Sequence, residues 1–271
     1  MTDNRRPRFP LGLDRMGGPA PARVAPAVSR PQRPLQQAAQ DAARRVAPSG
    51  LGLDSETVRG RMVQRLRDQG IADERVLQAF AAVPRHRFVD SALATQAYED
   101  TSLPIGLGQT ISKPSVVARM LSLLAETPAA QARGSLGRVL EIGTGCGYQT
   151  ALLAELGRQV VSIERLKPLH DKARDHLADA RLRQQIRLVW GDGHVGHGPS
   201  APYDSIVAAA GGDDLPDAWL AQLADGGRLV APMVERGSRR QFLLVVDRQG
   251  DRYQRQSCEA VLFVPLKSGV E

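Results

Sequence analysis

Apolar positions recur at helical spacing in one part of the chain and at strand spacing in another. In residues 55–69 (SETVRGRMVQRLRDQ), Val58, Met62, Val63 and Leu66 fall near one face of a predicted helix, which Gly70 stops. Asp73 stands as an N-cap before DERVLQAFAAV, where Val76, Leu77, Phe80 and Val83 repeat the pattern and Pro84 ends it. Residues 98–113 (YEDTSLPIGLGQTISK) hold so much Gly, Ser, Thr and Pro that a loop or short irregular strands are expected. Pro114 opens another helix, PSVVARMLSLLAE, because proline suits a first turn whose N–H needs no partner.

After Gly134, short apolar runs alternate with helical ones. Strands are predicted at 138–142, 159–164, 186–190 and 203–210, with helices at 148–156, 167–180 and 215–224, the last opened by Pro216. The runs 226–234 (GGRLVAPMV) and 241–247 (QFLLVVD) follow with no helix between them, and 259–266 (EAVLFVPL) reads as the last strand. This rhythm is that of an α/β fold. It predicts a doubly wound, mostly parallel sheet covered on both faces, with N-terminal helices before it and an antiparallel C-terminal edge.

Composition divides the chain. Residues 1–50 are a run of Pro, Ala, Arg and Gln with little bulky apolar periodicity, and they carry a net charge of +6 out of +7 for all 271 residues. They read as a disordered, solvated extension, or as a salt-sensitive contact to nucleic acid or an acidic partner. Residues 51–271 are nearly neutral and read as one domain, with helices and a loop in 51–134 and the sheet in 135–271. Aromatic residues make up only 4% of the chain, and no stacking platform or basic stripe appears in the folded part, so nucleic acid is not expected there. Cys146 and Cys258 form no metal or disulfide pattern and are expected as free thiols. Five scattered histidines lack ligand spacing, and no metal is expected. Arg5-Arg6 precedes no apolar export segment, and no run of 18 apolar residues occurs. A cytoplasmic monomer without membrane contact is the expectation.

The chemistry concentrates after the first sheet strand, in Glu141-Ile142-Gly143-Thr144-Gly145-Cys146-Gly147. Glycines there let the backbone turn and approach a ligand without Cβ clashes, and a helix N-terminus follows. Glu164 closes the next strand, where a carboxylate can accept from both hydroxyls of a ribose. Asp192 and Gly193, in the Gly191-Asp192-Gly193 turn, complete a nucleoside-binding half-fold, although Asp192 also reads as a simple turn residue. The spacing is G-x-G-x-G, with Tyr148 where a dinucleotide fingerprint has its third glycine. That favours S-adenosyl-L-methionine over NAD.

The run RVLEIGTGCGYQTALLAEL resembles motif I of the protein-L-isoaspartate O-methyltransferases, and LPIGLGQTISKPSVVARM resembles their signature segment. AAVPRHRFVD, GDG, YDSIVAAA, LADGGRLVAPM and VLFVPL look like further family blocks in the same order, over roughly residues 55–267. The resemblance implies a class I, Rossmann-like methyltransferase domain over 51–271. It implies methyl transfer from S-adenosyl-L-methionine to the free carboxylate of L-isoaspartyl residues in damaged proteins and peptides, whose ester then collapses to a succinimide. Glu141, Ile142, Gly143, Thr144, Gly145, Gly147, Glu164, Asp192 and Gly193 would hold the cofactor. Gln109, Thr110, Ile111 and Ser112 would meet the substrate, with the Ser112 hydroxyl orienting the carboxylate. Val264 would offer backbone groups to the isoaspartyl segment.

Each assignment has a plainer counterpart. Ser112 stands where it could merely cap the helix opened at Pro114, and Val264 could be an ordinary edge-strand residue. A methyltransferase of another substrate class, acting on a small molecule or RNA, and a non-enzymatic binding protein on the same fold are the alternatives. The chain departs from the family in its basic extension and in Ala210-Gly211-Gly212, where a proline pair is usual. The second departure predicts a more flexible cofactor-side loop.

Overall fold

The computed structural model describes residues 56–179, 184–235, 237–238 and 240–271. The basic extension 1–50 lies outside the described residues. Helices α1 (Glu56–Asp68) and α2 (Glu74–Ala82) come first, and Asp73 accepts from the N–H groups of Arg75 and Val76 as the N-cap of α2. Their buried faces carry Met62, Val63 and Leu66, then Val76, Leu77 and Phe80, which are the positions the helical spacing picks out.

Residues 98–113 are more regular than their composition suggests. A hairpin of β1 (Leu103–Gly106) and β2 (Gln109–Ile111) forms there, after two short 3-10 turns at Arg85–Phe88 and Ser91–Gln96. Helices α3 (Pro114–Ala125) and α4 (Pro128–Arg133) lead into the main sheet.

That sheet has seven strands: β3 (Arg138–Ile142), β4 (Gln159–Glu164), β5 (Ile186–Trp190), β6 (Tyr203–Ala208), β7 (Leu223–Val234), β8 (Gln241–Gln249) and β9 (Arg252–Val261). Their spatial order is β5-β4-β3-β6-β7-β8-β9, parallel from β5 to β7 and antiparallel beyond. Helices α5 (Tyr148–Leu156), α6 (Lys167–His176) and α7 (Asp217–Gln222) connect the parallel strands. Alternate strand residues feed two cores. Val139, Val160, Val207 and Val230 pack with α1, α2, α3 and α5, whereas Leu140, Val161, Ile206 and Leu229 pack with Trp219 and Leu220 of α7. Among the described residues no helix is long and apolar enough to cross a membrane.

Several boundaries differ from the sequence expectation: the helix expected at 167–180 ends at His176, the strand expected at 203–210 ends at Ala208, and two further differences have a clear cause. The helix expected at 215–224 is only Asp217–Gln222, because β7 begins at Leu223. The last strand is 252–261 and not 259–266. Strand β9 lies at the sheet edge with almost every side chain exposed, so it has no need of apolar alternation. The apolar run 262–266 instead leaves the sheet and pairs with the loop after β6.

Candidate active site

Strand β3 lies between β4 and β6, and the chain leaves it in one direction across the sheet before returning to build the other half. Such a switch point opens a crevice at the carboxyl ends of the strands. An open cleft occupies that place. Its floor is the loop after β3, with Ile142, Gly143, Thr144 and Gly145. One side holds Glu164, Arg165, Leu166 and Leu169, and Gly193 also lines it. The other side is made by Ile105, Gln109, Thr110, Ile111, Ser112 and Val264, with Ala209, Ala210 and Pro265 beside them.

The glycine loop takes left-handed turns at Gly143, Gly145 and Gly147, which side chains disfavour. Its amides are committed inward. Gly143 and Thr144 N–H donate to the Ile163 carbonyl at 2.9 and 3.2 Å, Gly145 N–H to Glu164 Oε2 at 2.8 Å, and Gly147 N–H to the Thr144 carbonyl at 2.9 Å. A phosphate cradle presents such groups to its ligand. With these four amides committed, the loop offers a close backbone surface more than a phosphate-type cradle.

Glu164 is buried and lines the cleft. Its oxygens each accept one backbone N–H, Oε2 from Gly145 and Oε1 from Leu166 at 3.0 Å, which fixes the carboxylate and leaves lone pairs for two further hydroxyls. At Gly193 a Cβ would stand 2.5 Å from Ile142 Cγ2, so only glycine lets this turn close on the strand end.

Three of the residues expected to hold the cofactor do not line the cleft: Glu141, Gly147 and Asp192. Glu141 is fully buried behind the loop, where Thr150 and Ser162 donate to its Oε2 at 2.5 and 2.6 Å. Burial pushes its carboxyl up to about 7 against the pull of those hydroxyls and of Gln149. Gly147 caps α5 with φ +90°, and a Cβ there would meet Leu177 Cδ1 at 3.0 Å. Asp192 spends its carboxylate on the N–H groups of His194 and Gly269, at 2.8 and 2.7 Å. Burial raises the Asp192 carboxyl, but those donors and the His194 ring outweigh it and hold it below the usual range. This geometry closes the turn, and as at Glu164 it leaves lone pairs on the carboxylate.

Ser112 lines the cleft, and the helix after it is capped from elsewhere. The N-cap position of α3 falls on Lys113, whose side chain makes no cap bond, and Asp100 accepts from both the N–H and the hydroxyl of Ser115 at 2.8 Å. Among the described residues the Ser112 hydroxyl has no hydrogen bond. Val264 accepts from Gly211 N–H at 2.8 Å, so its N–H is the backbone group left to offer.

The loop expected to be flexible is tied down. Gly211 N–H donates to Val264, its carbonyl accepts from Leu266 at 2.7 Å, and Gly212 exchanges bonds with Pro232 and Val234 at 3.3 and 2.9 Å. A proline pair would lack both N–H donors, so the glycines add pairing that the usual sequence cannot make. The Gln241 side chain clamps the same wall, accepting from Phe263 N–H at 2.6 Å and donating to its carbonyl at 3.2 Å.

Cleft residues that the motifs did not single out include Ile105, Tyr148, Gln149, Leu166, Pro265 and Lys267. Cys146 is buried in the glycine loop, and burial pushes its thiol up, away from reactive thiolate.

The family model of protein-L-isoaspartate(D-aspartate) O-methyltransferase matches residues 57–271. The chain belongs to this family. A protein-L-isoaspartate O-methyltransferase from Methylibium petroleiphilum is 59% identical over 266 residues, covering 98% of this chain and 97% of that one. That alignment therefore extends into the residues ahead of the family model. A solved protein-L-isoaspartate O-methyltransferase superposes with a TM-score of 0.68 at 28% identity, over 78% of this chain and 67% of that one. A Plasmodium falciparum family structure in complex with S-adenosyl-L-homocysteine gives 0.63 at 23% identity, over 76% of this chain and 97% of that one, and shares the fold.

Proposed function

We propose that this chain is a protein-L-isoaspartate O-methyltransferase that uses S-adenosyl-L-methionine to esterify the free carboxylate of L-isoaspartyl residues in damaged proteins and peptides. The observation that carries the reading is one cleft with two chemically distinct sides. Glu164 and the amide-satisfied glycine loop stand on one, and the uncommitted Ser112 hydroxyl with the Val264 N–H on the other.

The residues present fit the cofactor. Glu164 would take the ribose hydroxyls, and Ile142, Ile163, Leu166 and Leu169 supply apolar walls for a base. S-adenosyl-L-methionine, when bound, supplies an electrophilic methyl on a cationic sulfur. A carboxylate with a pKa of about 4 is already ionised at neutral pH, so the protein needs no strong general base. Cationic clamps on that carboxylate would stabilise it more before reaction than during it, when charge is being cancelled. Neutral donors avoid this penalty. Ser112 and the Val264 N–H orient the acid, and the apolar walls exclude water. The Val264 contact reads main chain, which suits an enzyme that accepts many sequences.

We assign the catalytic domain to residues 51–271 and treat 1–50 as a separate basic extension. The start of the family match at residue 57 supports that division. The deciding experiment incubates the protein with labelled S-adenosyl-L-methionine and two peptides that differ only in Asp versus L-isoAsp. Label should enter the L-isoAsp peptide alone; equal labelling of both, or of neither, rejects the reading.

A further inference from the structure

Arg85 is fully buried, and among the described residues it forms no ion pair with a carboxylate. Burying a guanidinium costs several kcal/mol unless its donors are met. Nε and Nη2 are met by carbonyls from two stretches far apart in sequence, residues 97–101 and Ser112, while among the described residues the buried Nη1 has no hydrogen-bond partner. Nε donates to Ala97 at 2.8 Å, and Nη2 donates to Ser112 at 2.8 Å and to Thr101 at 3.4 Å. The guanidinium carbon also stands 4.8 Å over the ring of Tyr148, the first residue of α5 and part of the cleft wall. Arg85 therefore touches the substrate-side loop with one end of its fork and the cofactor-side helix with its face.

We propose that Arg85 is a positioning residue for methyl transfer, holding the backbone of Ser112 in register with the glycine-loop side of the cleft. The guanidinium is a rigid plane with donors in fixed directions, so it sets the angle of each carbonyl as well as its distance. Because the peptide unit is planar and trans, fixing the Ser112 carbonyl also fixes the Lys113 N–H on the opposite side. The cation lies behind the serine's backbone and does not line the cleft, so it steers the hydroxyl without adding a charged clamp to the substrate acid. Group transfer is sensitive to such placement, and a shift of about 1 Å costs about 100-fold in rate.

The inference rests on the role given to Ser112, and a double-mutant cycle separates the two. Arg85→Lys keeps the charge, but its single nitrogen cannot stand where both Nε and Nη2 donate. Its kcat on an L-isoaspartyl peptide should fall at least about 10-fold, while affinity for S-adenosyl-L-homocysteine by calorimetry stays within about 2-fold. If Arg85 acts through Ser112, the Arg85→Lys/Ser112→Ala enzyme should be no slower than Ser112→Ala alone. Losses that multiply, an unchanged Arg85→Lys rate, or a matching loss of cofactor affinity would each overturn the proposal. A Ser112→Ala enzyme at the wild-type rate would remove the serine's role, and this inference with it. Arg85→Gln, which keeps donors without charge, runs through the same cycle with the same criteria if the lysine variant fails to fold.

Discussion

Asp100 caps a helix that begins fourteen residues after it, accepting from the N–H and the hydroxyl of Ser115 at the first turn of α3. The carboxylate arrives from the segment ahead of β1, so the loop between them is fastened to the helix it feeds. Removing a cap costs about 1 kcal/mol. Asp100→Ala should therefore lower the melting temperature by a few degrees, and an unaltered melting curve would show that the contact carries no stability.

This division of labour separates capping from chemistry. Ser112→Ala should leave thermal stability near wild type, because the hydroxyl caps nothing among the described residues. Its kcat should fall about 10-fold, the worth of one neutral hydrogen bond at the reacting acid, with cofactor affinity held within about 2-fold. A large drop in cofactor affinity measured by calorimetry would contradict the assignment.

At Gly211 a Cβ would stand 2.9 Å from Gln241 Nε2. Gly211→Ala should displace that amide from Phe263 and loosen the wall that carries Val264, at a cost of about 1–2 kcal/mol. The KM for peptide should rise while the affinity for S-adenosyl-L-homocysteine is retained. Parallel losses on both sides of the cleft would show that the wall and the cofactor pocket are not separable.

Glu141 links stability to pH. Its folded-state pKa, about 7, lies above the ordinary 4.5, so the folded protein holds this proton where the unfolded chain has released it. The stabilising contribution is complete below about 4.5 and is lost as pH rises through about 7, with an upper limit on the order of 3 kcal/mol. Glu141→Gln should flatten this part of the stability profile and be the more stable form at pH 8. Denaturant titrations at pH 5, 6, 7 and 8 test this, and an identical slope in both proteins would refute it.

A chain beginning at Leu51 should retain full activity on short isoaspartyl peptides, since the family match starts at residue 57. Initial rates on one peptide decide the matter, and an inactive truncation would place the extension in the working fold.

The sheet and its helices were legible because burial on both faces leaves short apolar runs between helical ones, as in RVLEI and QVVSIE. The place of Gly143, Thr144, Gly145 and Glu164 at the cleft was legible because a sharp glycine turn and an acid at the ends of adjacent parallel strands fall together at the sheet's carboxyl edge. Strand β9 was hidden, since an exposed edge selects no apolar alternation, and the real apolar run 262–266 mimicked the missing strand. Asp192 was ambiguous for a related reason: an Asp between glycines looks the same whether it faces a ligand or closes a turn, and its bond from Gly269, 77 residues on, could not be read from the sequence. Arg85 lies in the family-like block AAVPRHRFVD, but its role was not legible there, because its three carbonyl partners are set by tertiary contact.

The Gln241 amide occupies both polar groups of Phe263, as a neighbouring strand would. One flank of the 262–266 segment is thereby occupied at Phe263 and the Val264 carbonyl is held by Gly211, so under the proposed function an incoming chain would meet the Val264 N–H from the cleft and in an extended form. Damage within a tight helix or the middle of a sheet would stay out of reach until that region frays. Repair by such an enzyme would begin at loose ends and loops, following the order in which an ageing protein comes apart.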